Sequence, residues 1–516
     1  MKPIATDIST FSELIEFGYV YVDKTAYLAQ LVSRQLGKMF FMARPRRFGK
    51  SLTISTLQAI FEGRRELFKG LAIDSVDYDW QKYPVIRLDM STAQAETVEL
   101  FREQVLMNLR LTARNLHVSL RESNSIPAVF QALISDVAAT SPDGQVVLLI
   151  DEYDKPLLGH LGRPTVEAFC SELKAFYSVI KAEGESLRFA FMTGVSKFSK
   201  VSIFSDLNNL VDITMDARFA TLCGYTHAEL KANFSEHVAA LAAKNGLEPD
   251  AAFGKILAMY DGYRFEESSP QVVNPVSLGR CLCQLKFGFY WFETGTPTFL
   301  LNMLKATPLD LSHLEVFEDE LGTYEPSNPA IVPLLFQAGY MTIKEFKAVG
   351  ISRCYTLGFP NLEVESAFSR SLLGVYSESG ADFLRVKSAC WRSLARHDVG
   401  TFFDELQPLF ANIPYDLTDR QTEQTWQMLL YMIMRFLDFR VIAEERTNRG
   451  RIDLTVEFYG EIFILELKIN RTAAEALAQI KEKGYAEKYR IPGKRVTLIG
   501  LNFSSAKRTI DDIIWE

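Results

Sequence analysis

The sequence predicts an α/β protein that begins with a parallel β-sheet, continues through a largely helical middle region and ends in a second α/β domain. Two observations predict the N-terminal sheet. An apolar run over residues 38–43 leads through a loop into a helix-compatible segment, and a second apolar run over residues 146–150 ends in acidic residues. Continuous apolar runs of this length are typical of strands buried on both faces. A third observation, two strand-like segments around Tyr459-Gly460, predicts the C-terminal domain.

Length and composition are those of a folded, multi-domain protein. The chain has 516 residues, which favours about three domains. We place these domains at residues 1–222, 223–385 and 386–516. With 48% hydrophobic and 23% charged residues, the composition excludes collagen, coiled coil and disorder. The formal net charge of −8 argues against a general nucleic-acid coat, but it leaves room for a local basic site.

No targeting or membrane segment is expected. The longest apolar-rich stretch, residues 428–443, contains three charged side chains and is too interrupted to cross a membrane. The first residues have no apolar segment behind Lys2, so the sequence predicts a cytoplasmic protein rather than a secreted one. Six cysteines without framework spacing indicate reduced thiols, and the singly scattered histidines predict no zinc site.

The first chemical signal is the loop Arg44-Pro45-Arg46-Arg47-Phe48-Gly49-Lys50-Ser51, which lies between a predicted strand and a predicted helix. A helix N-terminus offers unpaired N–H groups to phosphate, Gly49 lets the backbone approach the anion, and Lys50 reaches the outer phosphates. Ser51 would bind Mg²⁺. The alternative is an ordinary turn that happens to contain Gly-Lys-Ser. The loop therefore predicts a site for ATP and Mg²⁺, provided that a second element supports it.

That second element is the apolar strand that ends in Asp151 and Glu152. Because ligands bind at the carboxyl ends of strands in open α/β sheets, we assign Asp151 to the metal and Glu152 to the general base. A further predicted strand, residues 187–192, is followed by Thr193, whose hydroxyl suits the terminal phosphate or the attacking water. The alternative for Thr193 is a cap on the backbone of the turn.

These motifs resemble the bacterial AAA-ATPase-like family, which is similar to the STAND-type and archaeal P-loop ATPases. The resemblance rests on six segments: residues 21–25, 44–52, 149–154, 202–209, 260–265 and 294–297. It implies an N-terminal P-loop NTPase domain in which Arg44, instead of the usual first glycine, is the family norm. It also implies that Arg44, Arg46 and Arg47 belong to the nucleotide-binding loop.

The middle region reads as helical with one hairpin. Thr226 and Glu229 form a capping-box pattern that opens a helix ending at Lys244. Farther on, residues 331–338 predict a helix, two strands follow around Val349-Gly350, and residues 363–373 are helical again. This order suggests a winged-helix-like module. We favour packing of the module on the nucleotide domain over DNA reading.

The second chemical signal lies in the C-terminal strand pair. Period-two alternation places Glu466 and Lys468 on one face of their strand, and Asp453 lies on the neighbouring strand. In such a set, Asp453 and Glu466 would hold Mg²⁺, while Lys468 would orient or deprotonate the attacking water. The alternative is a charged strand pair on the surface. The pattern therefore favours metal-assisted hydrolysis of a phosphodiester.

The arrangement resembles the PD-(D/E)XK nuclease superfamily, which implies a restriction-endonuclease-like α/β domain. By this resemblance Glu423 is an accessory acid of the metal site, and Gln479 positions the water or a phosphate. The alternative for Glu423 is a solvated helix acid. The bases that follow the strand pair, of which we favour Lys481 and Lys488, predict weak and local binding of nucleic acid, DNA foremost. A solvated helix face is the alternative for about half of them.

Three functions follow from these sites. In the leading one, ATP and Mg²⁺ bound near Lys50 and Asp151 control a Mg²⁺-dependent nuclease. The second is an ATP-dependent interaction or signalling switch whose nuclease-like domain only docks partners. The third is a constitutive nuclease with a structural nucleotide. A protein partner or a homo-oligomer is compatible with each.

Overall fold

A computed structural model describes residues 1–199, 203–204, 207, 209–291, 300, 303–304, 314–376, 383–411, 423–447, 450–489 and 494–516. The motif at residues 294–297, several residues of the 202–209 segment and Arg490 lie outside these ranges. The helices span Phe11–Glu16 (α1), Thr25–Val32 (α2), Lys50–Phe61 (α3), Val98–Asn115 (α4), Ile126–Ala138 (α5), Lys155–Leu158 (α6), Val166–Ala182 (α7), His227–Lys244 (α8), Pro249–Tyr260 (α9), Pro275–Gln284 (α10), Glu318–Gly322 (α11), Ile331–Gln337 (α12), Leu362–Tyr376 (α13), Phe383–Ala395 (α14), Val399–Ala411 (α15), Glu423–Phe436 (α16) and Ala473–Lys483 (α17). The strands span Met39–Ala43 (β1), Val85–Asp89 (β2), Val146–Asp151 (β3), Leu187–Gly194 (β4), Val211–Asp212 (β5), Leu314–Phe317 (β6), Thr342–Val349 (β7), Ser352–Gly358 (β8), Arg440–Thr447 (β9), Gly450–Phe458 (β10), Glu461–Ile469 (β11), Val496–Ser504 (β12) and Thr509–Trp515 (β13).

The N-terminal sheet is parallel and has the order β2-β3-β4-β1-β5. Every residue of β1, β3 and β4 is buried, which is why these strands read as continuous apolar runs. Strand β4 lies between β1 and β3, so the carboxyl ends of these three strands meet at one edge. The predicted α/β class with an N-terminal parallel sheet is confirmed.

The chain forms two compact units. One comprises Met1–Trp291 with Val316–Asn361, and the other comprises Phe292–Glu315 with Leu362–Glu516. In the first unit, α8, α9 and α10 share a hydrophobic core with Val22 and neighbouring N-terminal residues. The capping box that opens α8 is formed as expected, since Thr226 accepts from the Glu229 N–H and Glu229 accepts from the Thr226 N–H. The bounds of the three domains drawn from the sequence stay predictions.

The predicted helix and hairpin of the middle region are present as α12, β7 and β8. The turn after α12 places Gly339 at a φ of +86°, where a Cβ atom would come within 2.7 Å of Pro45. Thr342 accepts a hydrogen bond from the Arg264 N–H at 2.7 Å. Helix α12 and the hairpin thus pack on Pro45 and Arg264 within one compact unit, whereas α13, the second helix of the predicted module, belongs to the other unit. The winged-helix-like module and its role stay predictions.

The C-terminal unit contains a mixed sheet of order β13-β12-β11-β10-β9, in which only β11 and β12 pair in parallel. Tyr459 and Gly460 join β10 to β11 with positive φ at both residues, as a tight hairpin of the right twist requires. One face of the sheet packs on α14, α15 and α16 around Trp426. The other face packs on α17, with Ile464 and Ile480 in its core.

Candidate functional sites

The first candidate site lies where β1 ends and α3 begins. Gly49 caps α3 with a φ of +91°, a conformation that glycine adopts without strain. The Lys50 ammonium is buried and donates to the carbonyl oxygens of Arg44 and Pro45, both at 3.0 Å. Burial lowers the pKa of Lys50, and the nearby charge of Asp151 opposes this shift. The lysine therefore lies across its own loop, beside the acid of β3.

Asp151 ends β3 and completes this group. Its carboxyl is 3% exposed, so burial raises its pKa, while a hydrogen bond from Ser51 and the charge of Lys50 lower it. The structure thus brings Lys50, Ser51 and Asp151 together, as the sequence predicted for a bound nucleotide and its cation. Glu152 follows with a φ of +50°, and its partly exposed carboxylate lies 3.4 Å from the ammonium of Lys155.

Thr193 lies at the same edge, between the ends of β1 and β3. It is fully buried and pairs with Met42 of β1 in the sheet register. Its hydroxyl oxygen has no hydrogen-bond partner within the described part of the chain. A buried hydroxyl without a partner costs roughly 1–3 kcal/mol, so the site favours a ligand or water that satisfies it. This supports the polar role predicted for Thr193 over a backbone cap.

Sequence reasoning missed Asp154 and Tyr153. Both are buried, and Asp154 accepts hydrogen bonds from the N–H groups of Val195 and Ser196, the latter at 2.7 Å. The Tyr153 hydroxyl donates to the carbonyl of Ser196 at 2.9 Å. These two side chains hold the turn after β4 and thereby fix Thr193. A usable signal was Gly194, because a Cβ atom there would lie 2.4 Å from the Asp154 carboxylate.

The three arginines of the loop differ from one another. The Arg44 guanidinium is buried and donates to the carbonyls of Ala43 at 2.9 Å and Thr214 at 2.6 Å. It stacks on the Phe265 ring at 4.3 Å, and burial lowers its pKa to about 10. These contacts give the Arg44 side chain a structural role in the loop, but its Nε has no partner among the described residues, and the nucleotide contact that we expected stays a prediction.

Arg46 and Arg47 are half-buried. Arg47 has a φ of +67° and donates to the carbonyl of Tyr290. Arg46 forms no hydrogen bond or ion pair with the residues that the structure describes. Of the three arginines, Arg46 is therefore the one whose side chain fits the predicted contact with an anion.

The Tyr260–Phe265 motif packs against the loop. Phe48 makes edge contacts with Tyr263 and Phe265, at ring distances of 4.7 and 5.4 Å. Within the motif, Gly262 has a φ of +92°, and a Cβ atom there would lie 2.0 Å from the carbonyl oxygen of Pro360. This glycine lets the chain at Pro360 approach the motif that supports the nucleotide loop.

The second candidate site lies on β10 and β11. Asp453 accepts a hydrogen bond from the Leu467 N–H at 2.8 Å, which fixes its carboxylate beside the neighbouring strand. Glu466 is 1% exposed, and its Oε1 accepts from the Gln479 side-chain amide and lies 3.4 Å from the Lys468 ammonium. The Lys468 ammonium also lies 3.4 Å from the half-exposed carboxylate of Glu423. The structure thus brings together all five residues predicted for this site.

The electrostatics of this site are those of three acidic side chains around one cation, Lys468. Burial, followed by the charge of Asp453, raises the pKa of Glu466 to about 8. Its Oε2 has no partner among the described residues. Burial lowers the pKa of Lys468, but the charges of Glu466, Glu423 and Asp453 outweigh burial, so the net shift is upward. Lys468 is therefore a cation at neutral pH.

Two carboxylates make up the donor set for a metal. The described residues contain no cluster of three or more His, Cys, Asp or Glu side chains placed for a metal ion. Asp453 and Glu466 nevertheless suit Mg²⁺, which binds oxygen ligands and keeps several waters. The unpartnered Glu466 Oε2 is the observation that fits a cation, because a cation would offset a buried charge. Bound there, Mg²⁺ would activate water and stabilise the charge on phosphate.

Two more residues support the second site. Gln427, on α16, donates to the carbonyl oxygen of Asp453 at 2.9 Å. Tyr485 donates to the carbonyl of Arg451 at 2.8 Å, and its hydroxyl would lie 2.8 Å from a Cβ atom at Gly450. Sequence reasoning missed Gln427 because this side chain contacts the backbone of Asp453, and no spacing pattern predicts such a contact. The glycine at position 450 was a signal for close packing at the start of β10.

The basic residues of the C-terminal unit are largely paired. Lys488 forms an ion pair with Glu445, and the Lys481 ammonium lies 2.7 Å from the Glu516 carboxylate. These contacts favour the solvated, acid-laced surface that we gave as the alternative for these two lysines. Among the described bases that follow β11, Arg471, Lys483 and Arg495 form no ion pair with described residues.

Among the described residues, no helix is both long and apolar enough to cross a membrane.

Comparison with known proteins matches a family model to each end of the chain. A family model described as "Predicted AAA-ATPase" matches residues 5–204, and one described as "PD-(D/E)XK nuclease superfamily" matches residues 421–513. A protein of Azotobacter chroococcum mcd 1, described as "Uncharacterized protein in vnfD 5'region", is 35% identical over 527 residues. The match covers 100% of this chain and 99% of that relative. The chain therefore belongs to the family of AAA-ATPase-like proteins that carry a C-terminal PD-(D/E)XK nuclease superfamily domain.

Proposed function

We propose that this protein is a Mg²⁺-dependent nuclease whose cleavage of nucleic acid, DNA foremost, is controlled by ATP bound to its N-terminal unit. The observation that carries the proposal is the convergence of Asp453, Glu466, Lys468, Gln479 and Glu423 around one unpartnered, buried carboxylate oxygen. A docking module has no need for a buried carboxyl group whose Oε2 lacks a partner among the described residues, because an unsatisfied buried polar atom costs stability.

In the proposed cleavage, each residue has a separate task. Asp453 and Glu466 would hold Mg²⁺, which when bound would supply an activated water and offset charge on the scissile phosphate. Lys468, a cation held by Glu466 and Glu423, stabilises the charge that develops in the transition state. Gln479 keeps the Glu466 carboxylate in place through its amide. This division follows from which groups are buried, which are charged and which contact one another.

The N-terminal unit supplies the binding site for ATP and its Mg²⁺. The Lys50 ammonium donates to two carbonyl oxygens of its own loop. When a nucleotide binds, phosphate oxygens would replace these two acceptors. Ser51 and Asp151 are hydrogen-bonded and suit the cation, while Glu152 is placed to polarise water once it leaves Lys155. Thr193 offers its unpaired hydroxyl to the terminal phosphate or the water.

Within the first unit, contacts lead from the nucleotide loop to the residue that ends the unit. Phe48 of the loop contacts Tyr263, and the same motif packs on Pro360 through Gly262. The Asn361 side-chain amide donates to the carbonyl of Asp261 at 2.7 Å. A change in the loop on binding ATP therefore has a packed route to Asn361.

Within the second unit, contacts lead onward from its first helix. Helix α13 begins at Leu362, directly after Asn361, and carries Glu365. Glu365 is ion-paired with the buried Arg435 and accepts from Tyr431, both on α16. Helix α16 also carries Glu423 and Gln427, which contact Lys468 and the Asp453 backbone. A shift of α13 would therefore move residues that shape the nuclease site, which is how ATP would act as a switch.

The test is cleavage of supercoiled, linear and single-stranded DNA, and of RNA, by the purified full-length protein in MgCl₂, with and without ATP. We expect Asp453→Ala and Lys468→Ala to abolish cleavage. Lys507→Ala, which removes the same charge from an exposed site of the same unit, should cleave like the parent. Equal cleavage by all three variants would sink the nuclease assignment and leave the docking module.

The ATP switch needs its own measurement. We expect Lys50→Ala to make cleavage insensitive to ATP, and Glu152→Gln to bind ATP without releasing phosphate. If ATP changes cleavage by neither the parent nor the two variants, the nucleotide is structural and the nuclease is constitutive.

A further inference from the structure

Helix α4 of the first unit exposes apolar side chains on the face that points away from its core. Leu100, Met107 and Leu111 are 43%, 62% and 50% exposed. The opposite face buries Phe101, Val105 and Leu109 against the domain, so α4 is apolar on two sides. Single exposed apolar residues are ordinary, but a row of them along one helix marks a contact surface.

The row has the spacing of a helix-pairing seam. Leu100, Gln104, Met107 and Leu111 follow one another at intervals of four, three and four residues. This spacing keeps side chains in line along one helix and lets a second helix pack against them. The 18 residues of α4 span about 27 Å, which is long enough for two such turns on either side of Met107.

The charges beside the seam identify the partner helix. Glu103 and Arg110 are exposed, lie seven residues apart and so occupy the same flank of α4. Glu99 and Arg114 extend the pattern outward, with acid toward the helix start and base toward its end. None of the four forms an ion pair with described residues, although Arg110 donates to the Ser123 carbonyl. The charges of this flank are therefore complementary to those of a second α4 helix that runs in the opposite direction.

We propose that α4 is a self-association surface through which two copies of this chain pair, antiparallel, about a two-fold axis near Met107. In that alignment Glu103 of each copy meets Arg110 of the other, and the apolar rows face each other. In a parallel alignment, each charged residue would lie beside the same residue of the second copy, so like charges would meet. Three apolar side chains from each copy and four exposed ion pairs, Glu103–Arg110 and Glu99–Arg114 twice each, make a small interface, so association is expected in the micromolar range, roughly 1–100 μM.

The test is sedimentation equilibrium of the full-length protein from about 1 to 200 μM, without nucleotide or metal. Glu103→Arg and Arg110→Glu should each raise the dimer dissociation constant about tenfold or more, because like charges then face each other. The double variant Glu103→Arg/Arg110→Glu should restore it to within about threefold, and an equimolar mixture of the two single variants should form heterodimers.

A matched control separates this from a general charge effect. Glu167→Arg makes the same change at an exposed position of α7 and should leave the dissociation constant unaltered. A protein that is monomeric at every concentration would overturn the proposal. So would a dimer that Glu103→Arg does not weaken, or one that the double variant fails to restore.

Discussion

The raised pKa of Glu466 predicts that Glu466→Gln abolishes cleavage yet stabilises the metal-free C-terminal unit at alkaline pH. The folded-state pKa of about 8 lies above the ordinary value of 4.5, so the folded protein binds this proton more tightly than the unfolded chain does. Stability contributed by the protonated group is fully present below pH 4.5 and declines as the pH rises to 8. A glutamine is neutral throughout and escapes the decline.

The size of the effect follows from linkage. One proton held only by the folded state changes the free energy of unfolding by about 1.4 kcal/mol per pH unit. Between pH 6 and pH 8 the parent should therefore lose about 2 kcal/mol, allowing for partial ionisation near the pKa. For a unit of this size, that corresponds to a fall of about 4–8 °C in the midpoint of thermal unfolding. The glutamine variant should show no such fall.

The assay is calorimetric unfolding of both proteins in EDTA from pH 6 to pH 8, followed on the transition that Mg²⁺ shifts in the parent. Titration calorimetry in two buffers of different ionisation enthalpy gives a second readout. Mg²⁺ binding should release about 0.9 proton at pH 7 and about 0.1 at pH 9, because the metal displaces the Glu466 proton.

Parallel pH profiles for parent and variant would refute the reasoning, since they would place the proton elsewhere. So would Mg²⁺ binding that releases no proton at pH 7. Cleavage by the glutamine variant would remove Glu466 from the metal site altogether.

Three further predictions test the first unit. Gly194→Ala should destabilise that unit by about 1–3 kcal/mol in a denaturant titration, because the new methyl group meets Asp154 and the buried Tyr153 ring. The control Gly159→Ala should leave stability unchanged, since a Cβ atom there has open space around it. Lys50→Ala should weaken fluorescent ATP binding about tenfold or more, while the exposed Lys69→Ala should bind like the parent. Gly262→Ala should keep basal cleavage but lose its response to ATP, because a Cβ atom 2.0 Å from the Pro360 carbonyl displaces the chain at Asn361; an unchanged ATP response would contradict the proposed route.

Local signals in the sequence were enough for the elements that carry both sites. The apolar strands, Gly49 and the Tyr459-Gly460 turn each depend on neighbouring residues alone. Period two puts Leu465 and Leu467 on the strand face opposite Glu466, and both are buried, with 1% and 0% exposure. The same pattern gave no warning that Glu466 is as buried as these leucines, because its burial depends on α17 packed above the strand.

The contacts that decide individual roles were out of reach because their partners lie far away in the chain. Arg44 donates to the carbonyl of Thr214, 170 residues on, and no pattern around Arg44 predicts this contact. Lys488 is neutralised by Glu445, 43 residues earlier. The sequence lists the charged residues but not which of them form ion pairs. The net charge of −8 therefore could not distinguish ion-paired bases from bases that can bind a phosphate.

Both sites contain buried polar groups whose desolvation cost a bound ligand would offset. Ligand binding at either site would therefore release free energy that can act on the rest of the protein. Burial lowers the pKa of Lys50 and raises that of Glu466, and each site contains one unpartnered oxygen, on Thr193 and on Glu466. ATP and Mg²⁺ would therefore each stabilise the unit that binds them. In the proposed switch, the peptide bond from Asn361 to Leu362 would join the contact route of one unit to that of the other, and part of that binding energy would shift α16 and so open or close the nuclease site.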